Sequence, residues 1–243
     1  KNIIRKENLV IGYVFVLIST PFTNTVQVWI SSFFLLFMFN FLVESYQKVL
    51  PFSQFYNASI ILGFLTYFYP NLIFLILLLI INGINYSNIN WRIIFTILLG
   101  LITPCLFYFV FIFISGGSVS FPISFNFSEI YFPKIKEMHL SKIVWGTTLL
   151  LITLFSFFEL FNWLYKKSMK SRKTFMTIIW FLIITMLIAS CSSWHYFYFS
   201  LIPLAIIIGN YFVYSKKKKI ASILFSLLII SSFYYRYMII FNV

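Results

Sequence analysis

The chain has 243 residues, of which 61% are hydrophobic and 9% are charged, and its mean hydropathy is +0.97. Soluble domains carry about 25% charged residues, so this composition excludes a soluble globular protein and indicates an integral membrane protein. The formal net charge of +13 lies in short basic runs between apolar stretches, which is typical of membrane orientation. We therefore expect membrane lipids, and no nucleic acid, among its partners.

Apolar stretches follow one another along the whole chain. A helix needs about 20 apolar residues to cross the hydrocarbon core of a bilayer. We predict a single all-α integral membrane domain over residues 1–243, a polytopic bundle of about nine hydrophobic helices, some of them short. The predicted segments are Leu9–Thr20, Val26–Val43, Tyr56–Tyr69, Asn71–Ile81, Ile93–Ser115, Ile143–Tyr165, Phe175–Cys191, Tyr196–Tyr214 and Ile220–Tyr235. Because the chain begins with Lys1 and not Met, we also expect that a segment upstream of it is missing.

The stretch Tyr56–Ile81 allows two topologies, either one long kinked crossing or two short helices that meet at Pro70. Proline in a helix interior removes a hydrogen bond, and the residue before it avoids the helical region. This favours two helices joined by a turn.

Charge asymmetry favours the same topology. With a turn at Pro70 and a cytoplasmic N-terminus, the basic residues outside are Lys134, Lys136, Lys142 and Arg236. A single crossing also moves outside Lys1, Arg5, Lys6 and Lys48. Since basic residues concentrate on the cytoplasmic side, we predict the turn and a multi-pass membrane protein with a cytoplasmic N-terminus.

The longest loop, Gly116–Ser141, lies outside in this topology and carries Glu129, Glu137 and His139. We expect it to lie flat on the outer interface, with a substrate-covering lid as the alternative. Glu129 and Glu137 are the candidate catalytic carboxylates if the protein is an enzyme. The spacing of this group fits no metal motif, so we expect no metal site.

Ionisable groups inside a membrane are costly and are therefore functional candidates. Glu159 lies in an apolar stretch, where it either pairs with a basic residue such as Arg92 or moves a proton or substrate. Cys105 and Cys191 lie in or at the end of apolar stretches without ligands at suitable spacing, so we read them as small apolar residues. No cofactor is expected, because the chain has five Glu and no Asp and lacks phosphate-cradling motifs.

His195 and Tyr196 occupy a very short outer turn between two predicted helices. Together with the serines before them, they could orient a phosphate or a sugar hydroxyl, and a neutral imidazole could act as a base. The alternative is an interfacial cluster of amphipathic rings. The sequence leaves both readings open.

Two resemblances follow from particular stretches. The first is carried by Pro51-Phe52 through Tyr69-Pro70, Asn90-Trp91-Arg92, Gly100-Leu101-Ile102-Thr103-Pro104 and Ile207-Ile208-Gly209-Asn210-Tyr211-Phe212. These stretches resemble a bacterial family of integral membrane proteins of unknown function, which implies no activity. Members of that family are longer at the N-terminus.

The second resemblance is carried by Ile61–Ile80 and by His195-Tyr196 followed by Leu201-Ile202-Pro203-Leu204. These stretches are similar to those of the multi-spanning glycosyltransferases that use polyprenyl-phosphate sugars. The resemblance implies that His195 and Tyr196 contact a lipid-linked phosphate. In that superfamily the acidic catalytic residue lies on the first large outer loop, whereas the corresponding turn here, Thr20–Val26, has no carboxylate.

Three functions remain open at this point. The leading one is a structural or accessory subunit of a membrane assembly, whose partners are other membrane protein subunits. The alternative is a glycosyltransferase-like enzyme acting on a lipid-linked sugar at the outer face, with a polyprenyl-phosphate lipid as ligand. A transporter is third, with Glu159 as its coupling group.

Overall fold

A computed structural model describes residues 9–20, 26–116, 140–192 and 196–240. Within them the chain is helical and contains nine α-helices and the 3-10 helix Pro70–Leu75. The helices are α1 Leu9–Ser19, α2 Val26–Glu44, α3 Phe52–Phe68, α4 Ile76–Asn85, α5 Trp91–Ser115, α6 Leu140–Leu164, α7 Met169–Ser190, α8 Phe197–Tyr214 and α9 Lys218–Ile240. The all-α fold class is confirmed for these residues.

Helix length separates the nine helices into two groups. Six helices, α2 and α5 to α9, are long and apolar enough to span a membrane, so the chain is a multi-pass membrane protein. The other three are shorter. With 17 residues, α3 is about 25 Å long, less than the hydrocarbon core of about 30 Å. The prediction of about nine spans is therefore confirmed only for six of the described helices.

The described helices group into two compact units. Unit 1 contains α1, α6, α8, α9 and the first residues of α7, up to Arg172. Unit 2 contains α2 to α5 and the rest of α7, with the residues described after it up to Phe197. The expectation of one domain over the whole chain stays a prediction.

In unit 2 the chain reverses direction at Pro70. Phe55, near the start of α3, lies beside Gly83, near the end of α4, where its ring is 3.7 Å from the position a Cβ would take. The two helices are therefore antiparallel, as expected from the turn and not from a single crossing. Pro104 and Pro203, in contrast, lie inside the continuous helices α5 and α8.

Two glycines allow α3 and α5 to pack closely side by side. A Cβ on Gly63 would lie 2.8 Å from the carbonyl oxygen of Leu101, and a Cβ on Gly100 would lie 2.9 Å from that of Tyr56. The helices run in parallel, since Ser59 lies against Gly100 and, further along both helices, the tilted rings of Tyr67 and Tyr108 lie 5.4 Å apart between centroids. Small residues bring backbones together in this way in membranes, where helix packing lacks a hydrophobic driving force.

In unit 1, α6 and α9 are antiparallel. The hydroxyl of Thr148 donates to that of Ser231 over 3.1 Å, and the rings of Trp145 and Tyr235 lie 6.0 Å apart. Large apolar side chains are exposed along both helices, for instance Phe158 and Ile230. Because lipid tails solvate such side chains, this exposure is the expected surface of a membrane protein.

Candidate functional site

Tyr196 lies at one end of unit 2 among polar and aromatic side chains. We call Tyr69, Asn71, Ser192 and Tyr196 the Tyr196 cluster. The side-chain amide of Asn71 donates a hydrogen bond to the hydroxyl of Ser192 over 2.6 Å, and both residues are buried. The backbone amide of Asn71 donates to the hydroxyl of Tyr196, whose ring meets that of Tyr69 edge to face at 5.8 Å. The cluster therefore joins the turn after α3 to the end of α7.

The ends of two helices, α3 and α7, bring these residues together. Tyr69 precedes Pro70 and takes an extended conformation, with φ −135° and ψ 81°, which ends α3. Its amide still bonds to the carbonyl of Leu65 over 2.9 Å, so the helix is closed before the turn. At the other side of the cluster α7 ends at Ser190, and Ser192 follows directly beyond it.

Burial disfavours ionisation of the two phenols in the cluster. It raises the pKa of the Tyr196 phenol above its ordinary value of 10.0, while the hydrogen bond from the Asn71 backbone lowers it. The pKa of Tyr69 is raised by burial and by the neighbouring Tyr196. Both phenols are therefore neutral at physiological pH. A neutral cluster of this kind can hydrogen-bond a hydroxyl or a phosphate oxygen, but it offers no base.

Most of the outer candidates from the sequence lie outside the described residues. These are Glu129, Glu137, His139 and His195. Of the predicted outer site, the structure therefore describes Tyr196 and Ser192, and it adds Tyr69 and Asn71, which the sequence did not single out. The roles of the two glutamates and two histidines stay predictions.

Glu159 and Arg92, the predicted intramembrane charges, belong to different units. Glu159 is half-buried in α6 of unit 1, next to the buried Leu160. Arg92 is exposed in the first turn of α5 in unit 2. Their pairing stays a prediction.

A second polar cluster lies at the other end of unit 2, and we call Ser45, Asn82, Asn85 and Thr177 the Asn82 cluster. The amide of Asn85 donates to the hydroxyl of Thr177 over 3.1 Å, which in turn donates to the Asn82 carbonyl oxygen over 3.1 Å. The Asn82 amide donates to the Ser45 hydroxyl over 3.2 Å. This chain of hydrogen bonds ties together the end of α2, the end of α4 and the start of α7.

The sequence contains a pattern that indicates this cluster, but the predicted helix boundaries did not include it. Asn82 and Asn85 are three residues apart, which places two amides on one face of a helix. The predicted segment ends at Ile81 and so leaves both outside the helix, whereas α4 continues to Asn85. A polar pair at helical spacing beside an apolar stretch indicates a helix-to-helix contact in a membrane.

Tyr86 lies next to the Asn82 cluster, directly after α4. Its hydroxyl lies 3.2 Å from the hydroxyl of Thr174, and its ring meets that of Tyr46 at 5.1 Å. Burial raises the pKa of the Tyr86 phenol above its ordinary value, and the hydrogen bond to Thr174 lowers it. Tyr86 is therefore a neutral hydrogen-bonding group of the bundle.

Thiols and metal ligands add no further site among the described residues. Cys105 and Cys191 are free cysteines, partly exposed. Across residues 9–20, 26–116, 140–192 and 196–240, no group of three or more His, Cys, Asp or Glu side chains could hold a metal ion. The Tyr196 cluster and the Asn82 cluster offer hydrogen bonding by neutral groups.

The chain belongs to a family of unknown function, DUF6427, whose family model matches residues 5–243. No curated protein and no solved structure matches the chain.

Proposed function

We propose that this member of a family of unknown function is a non-catalytic subunit of a membrane assembly, and that α5 binds a transmembrane helix of another protein. The observation that carries this proposal is a packing seam on α5 that the described residues leave partly exposed. Its positions are 93, 97, 100, 104, 107, 111 and 114, which alternate by four and three residues as in a coiled coil. We call these positions the α5 seam.

The two halves of the α5 seam differ in burial. Ile93, Ile97 and Gly100 are buried in unit 2. Beyond Pro104 the same seam continues with large apolar side chains, but Phe107 is 73% exposed and Phe111 is 71% exposed. Among the six long helices α5 is the most apolar and the least buried. A second helix with a matching seam would cover this half at the spacing that α3 uses for the first half.

The use of polar side chains in unit 2 also favours a structural role. Asn82, Asn85 and Thr177 bond to one another and to neighbouring helices. A transport path or an active site needs such groups to face a cavity, whereas a scaffold uses them to hold helices in place.

Photo-crosslinking tests this proposal in the native membrane. A photoreactive amino acid at Phe111 is compared with one at Phe158 of α6, which is also 71% exposed but lies off the buried face of its helix. We expect one defined protein adduct from position 111 and lipid adducts from position 158. The Phe107→Ala/Phe111→Ala variant then loses the adducted protein in copurification, and Phe155→Ala/Phe158→Ala keeps it.

Two outcomes would overturn the proposal. The first is an adduct of position 111 with residues 117–139 of the same chain, because the seam would then be covered from within. The second is the same adducts from both positions, because α5 would then face lipid as α6 does.

We also propose that the protein lies in the bacterial inner membrane with a cytoplasmic N-terminus and a turn at Pro70. The support is the positive-inside rule, which this topology satisfies for all basic residues except Lys134, Lys136, Lys142 and Arg236. Single cysteines at Lys48 and Lys216, in a variant without Cys105 and Cys191, are labelled in intact cells with a membrane-impermeant maleimide. We expect both to be protected. Labelling of one but not the other would contradict the turn, and labelling of both would reverse the orientation.

A glycosyltransferase-like role is the second candidate, and the Tyr196 cluster favours it. Tyr196, Asn71 and Ser192 converge at one end of unit 2. In this role they contact a lipid-linked phosphate together with His195, and Glu129 or Glu137 is the base. The purified protein would transfer a radiolabelled sugar from a polyprenyl-phosphate sugar, Tyr196→Phe would lose this activity, and Tyr165→Phe would keep it. The absence of transfer by the unmodified protein would exclude the role.

A further inference from the structure

The carboxyl ends of α6 and α8 lie side by side in unit 1. The rings of Trp163 and Tyr214 are 5.2 Å apart between centroids. The ammonium group of Lys167 lies over both, 4.9 Å from the centroid of Trp163 and 5.1 Å from that of Tyr214. Tryptophan and tyrosine gather at the headgroup level of membranes, so this end of unit 1 lies at the level of lipid phosphates.

Basic residues from two connections gather at this end. We call Lys166, Lys167, Lys170, Arg172 and Lys216–Lys219 the basic end. The guanidinium of Arg172 is used within the protein, since it donates to the carbonyls of Leu164 and Tyr165 over 3.1 Å and 2.7 Å and so closes α6. In contrast, Lys166 and Lys216–Lys219 are exposed.

Little negative charge accompanies the exposed Lys166 and Lys216–Lys219 in the described part of unit 1. Among the described residues of unit 1, Glu159 is the one acidic side chain. Lys218 and Lys219 also lie in the first turn of α9, which contains no acidic residue. A cation is unfavourable there, because the helix dipole places partial positive charge at the amino end. An anion bound at this position relieves the repulsion among the lysines and the repulsion between these lysines and the helix dipole.

We propose that the basic end is a binding site for the phosphate of an anionic phospholipid. The aromatic pair holds the site at the depth of the headgroups, and the exposed lysines of the α8–α9 connection supply the charge. This site is in unit 1 and is independent of the role proposed for α5. A lipid is favoured over a soluble phosphate because Trp163 and Tyr214 place the lysines where the lipid phosphates already lie.

Lipid titration tests the site on the purified full chain in a mild non-ionic detergent. The probes are phosphatidylglycerol, phosphatidylcholine and glycerol phosphate, and bound molecules are counted by native mass spectrometry. We expect phosphatidylglycerol to bind in preference to phosphatidylcholine and to raise the melting temperature. The Lys216→Gln/Lys219→Gln variant should bind phosphatidylglycerol more weakly, by about fivefold for each charge removed.

The matched control removes two charges at the other end of unit 1. Lys142 in α6 and Arg236 in α9 are both exposed, and Lys142→Gln/Arg236→Gln should keep the affinity. Circular dichroism checks that both variants remain helical. Equal affinity for the two lipids would overturn the proposal, and so would an equal loss in both variants. Competition by glycerol phosphate as strong as that of the lipid would assign the site to a soluble phosphate instead.

Discussion

The side-chain amide of Asn71 donates a 2.6 Å hydrogen bond to the hydroxyl of Ser192, 121 residues further along the chain. Both side chains are buried, so water does not compete for this bond. The contact fastens the turn at Pro70 to the end of α7. Because the backbone of Asn71 also bonds Tyr196, the same residue positions the candidate site.

The Asn71–Ser192 bond should appear as an energetic coupling. In a double-mutant cycle with Asn71→Ala and Ser192→Ala, we expect a coupling of about 0.5–1.5 kcal/mol in the free energy of unfolding, measured by titration with a denaturing detergent. Ser190, whose exposed hydroxyl bonds to the carbonyl of Leu187 in its own helix, serves as the control partner. The Asn71/Ser190 cycle should be additive. Additivity in both cycles would show that the bond is not formed.

Close packing of α3 against α5 predicts a large effect of one methyl group. Gly100→Ala places a Cβ against the side chain of Ser59 and 2.9 Å from the carbonyl oxygen of Tyr56, which forces the helices apart. We expect a loss of about 1–3 kcal/mol in the free energy of unfolding. Gly146→Ala in α6 is the control, because its Cβ would meet nothing within 4 Å. It should be neutral or stabilising by up to about 1 kcal/mol, and equal losses in the two variants would contradict the parallel pair.

Two buried asparagines should respond differently to the same substitution. Asn82→Leu removes three hydrogen bonds, to Leu42, Ser45 and Thr177, and should cost about 1–3 kcal/mol. The carbonyl oxygen of Asn210 is buried without a hydrogen-bond partner in the described part of the chain. Asn210→Leu should therefore be neutral or stabilising in thermal unfolding. A loss at Asn210 as large as that at Asn82 would indicate a bound water or polar group there.

Ser87 occupies a backbone conformation that suits glycine. It has φ 58° two residues after the end of α4, where the amides of Ser87 and Asn88 bond to the carbonyls of Ile84 and Gly83 over 3.0 Å and 2.9 Å. This is a Schellman helix end, in which glycine usually takes the left-handed position. Ser87→Gly should stabilise the protein by about 0.5–1 kcal/mol. Ser222→Gly, in the interior of α9, should destabilise it by about 0.5 kcal/mol, and the same sign in both would refute the assignment.

The raised pKa of Tyr86 predicts that the protein loses stability at alkaline pH. Burial raises the pKa of its phenol in the folded protein. The protonated phenol therefore contributes its full share to the free energy of unfolding below pH 10.0, the ordinary pKa. This contribution is lost as the pH rises from there through the pKa of the folded state, because the unfolded chain loses its proton first. Tyr86→Phe should therefore show a shallower decline of the melting temperature above that pH. Thr174→Val loses the same hydrogen bond but keeps the phenol, so its decline should be as steep as that of the unmodified protein. An unchanged slope in Tyr86→Phe would assign the alkaline loss to other groups.

Local sequence rules predicted most of the helices but not all their ends. Pro70 correctly indicated a break, because the residue before a proline disfavours the helical region. Pro104 and Pro203 carry the same local signal but lie inside helices. The sequence could not separate these cases, since neighbouring helices in a membrane tolerate the missing hydrogen bond.

The candidate site was predictable only in part. Tyr196 was found because it lies next to a histidine in a short polar turn. Asn71 was read as the first residue of an apolar helix, and its contact with Ser192 spans 121 residues. No local pattern relates residues so far apart.

The amino-acid sequence alone determined that this protein is an all-α membrane protein and where its chain turns, because hydropathy, proline and charge act on each segment separately. Tertiary structure decided which polar groups meet. Asn71 bonds to Ser192, Asn82 bonds to Thr177, and Gly63 and Gly100 allow α3 and α5 to pack closely. These contacts depend on how the helices pack against one another in the bilayer.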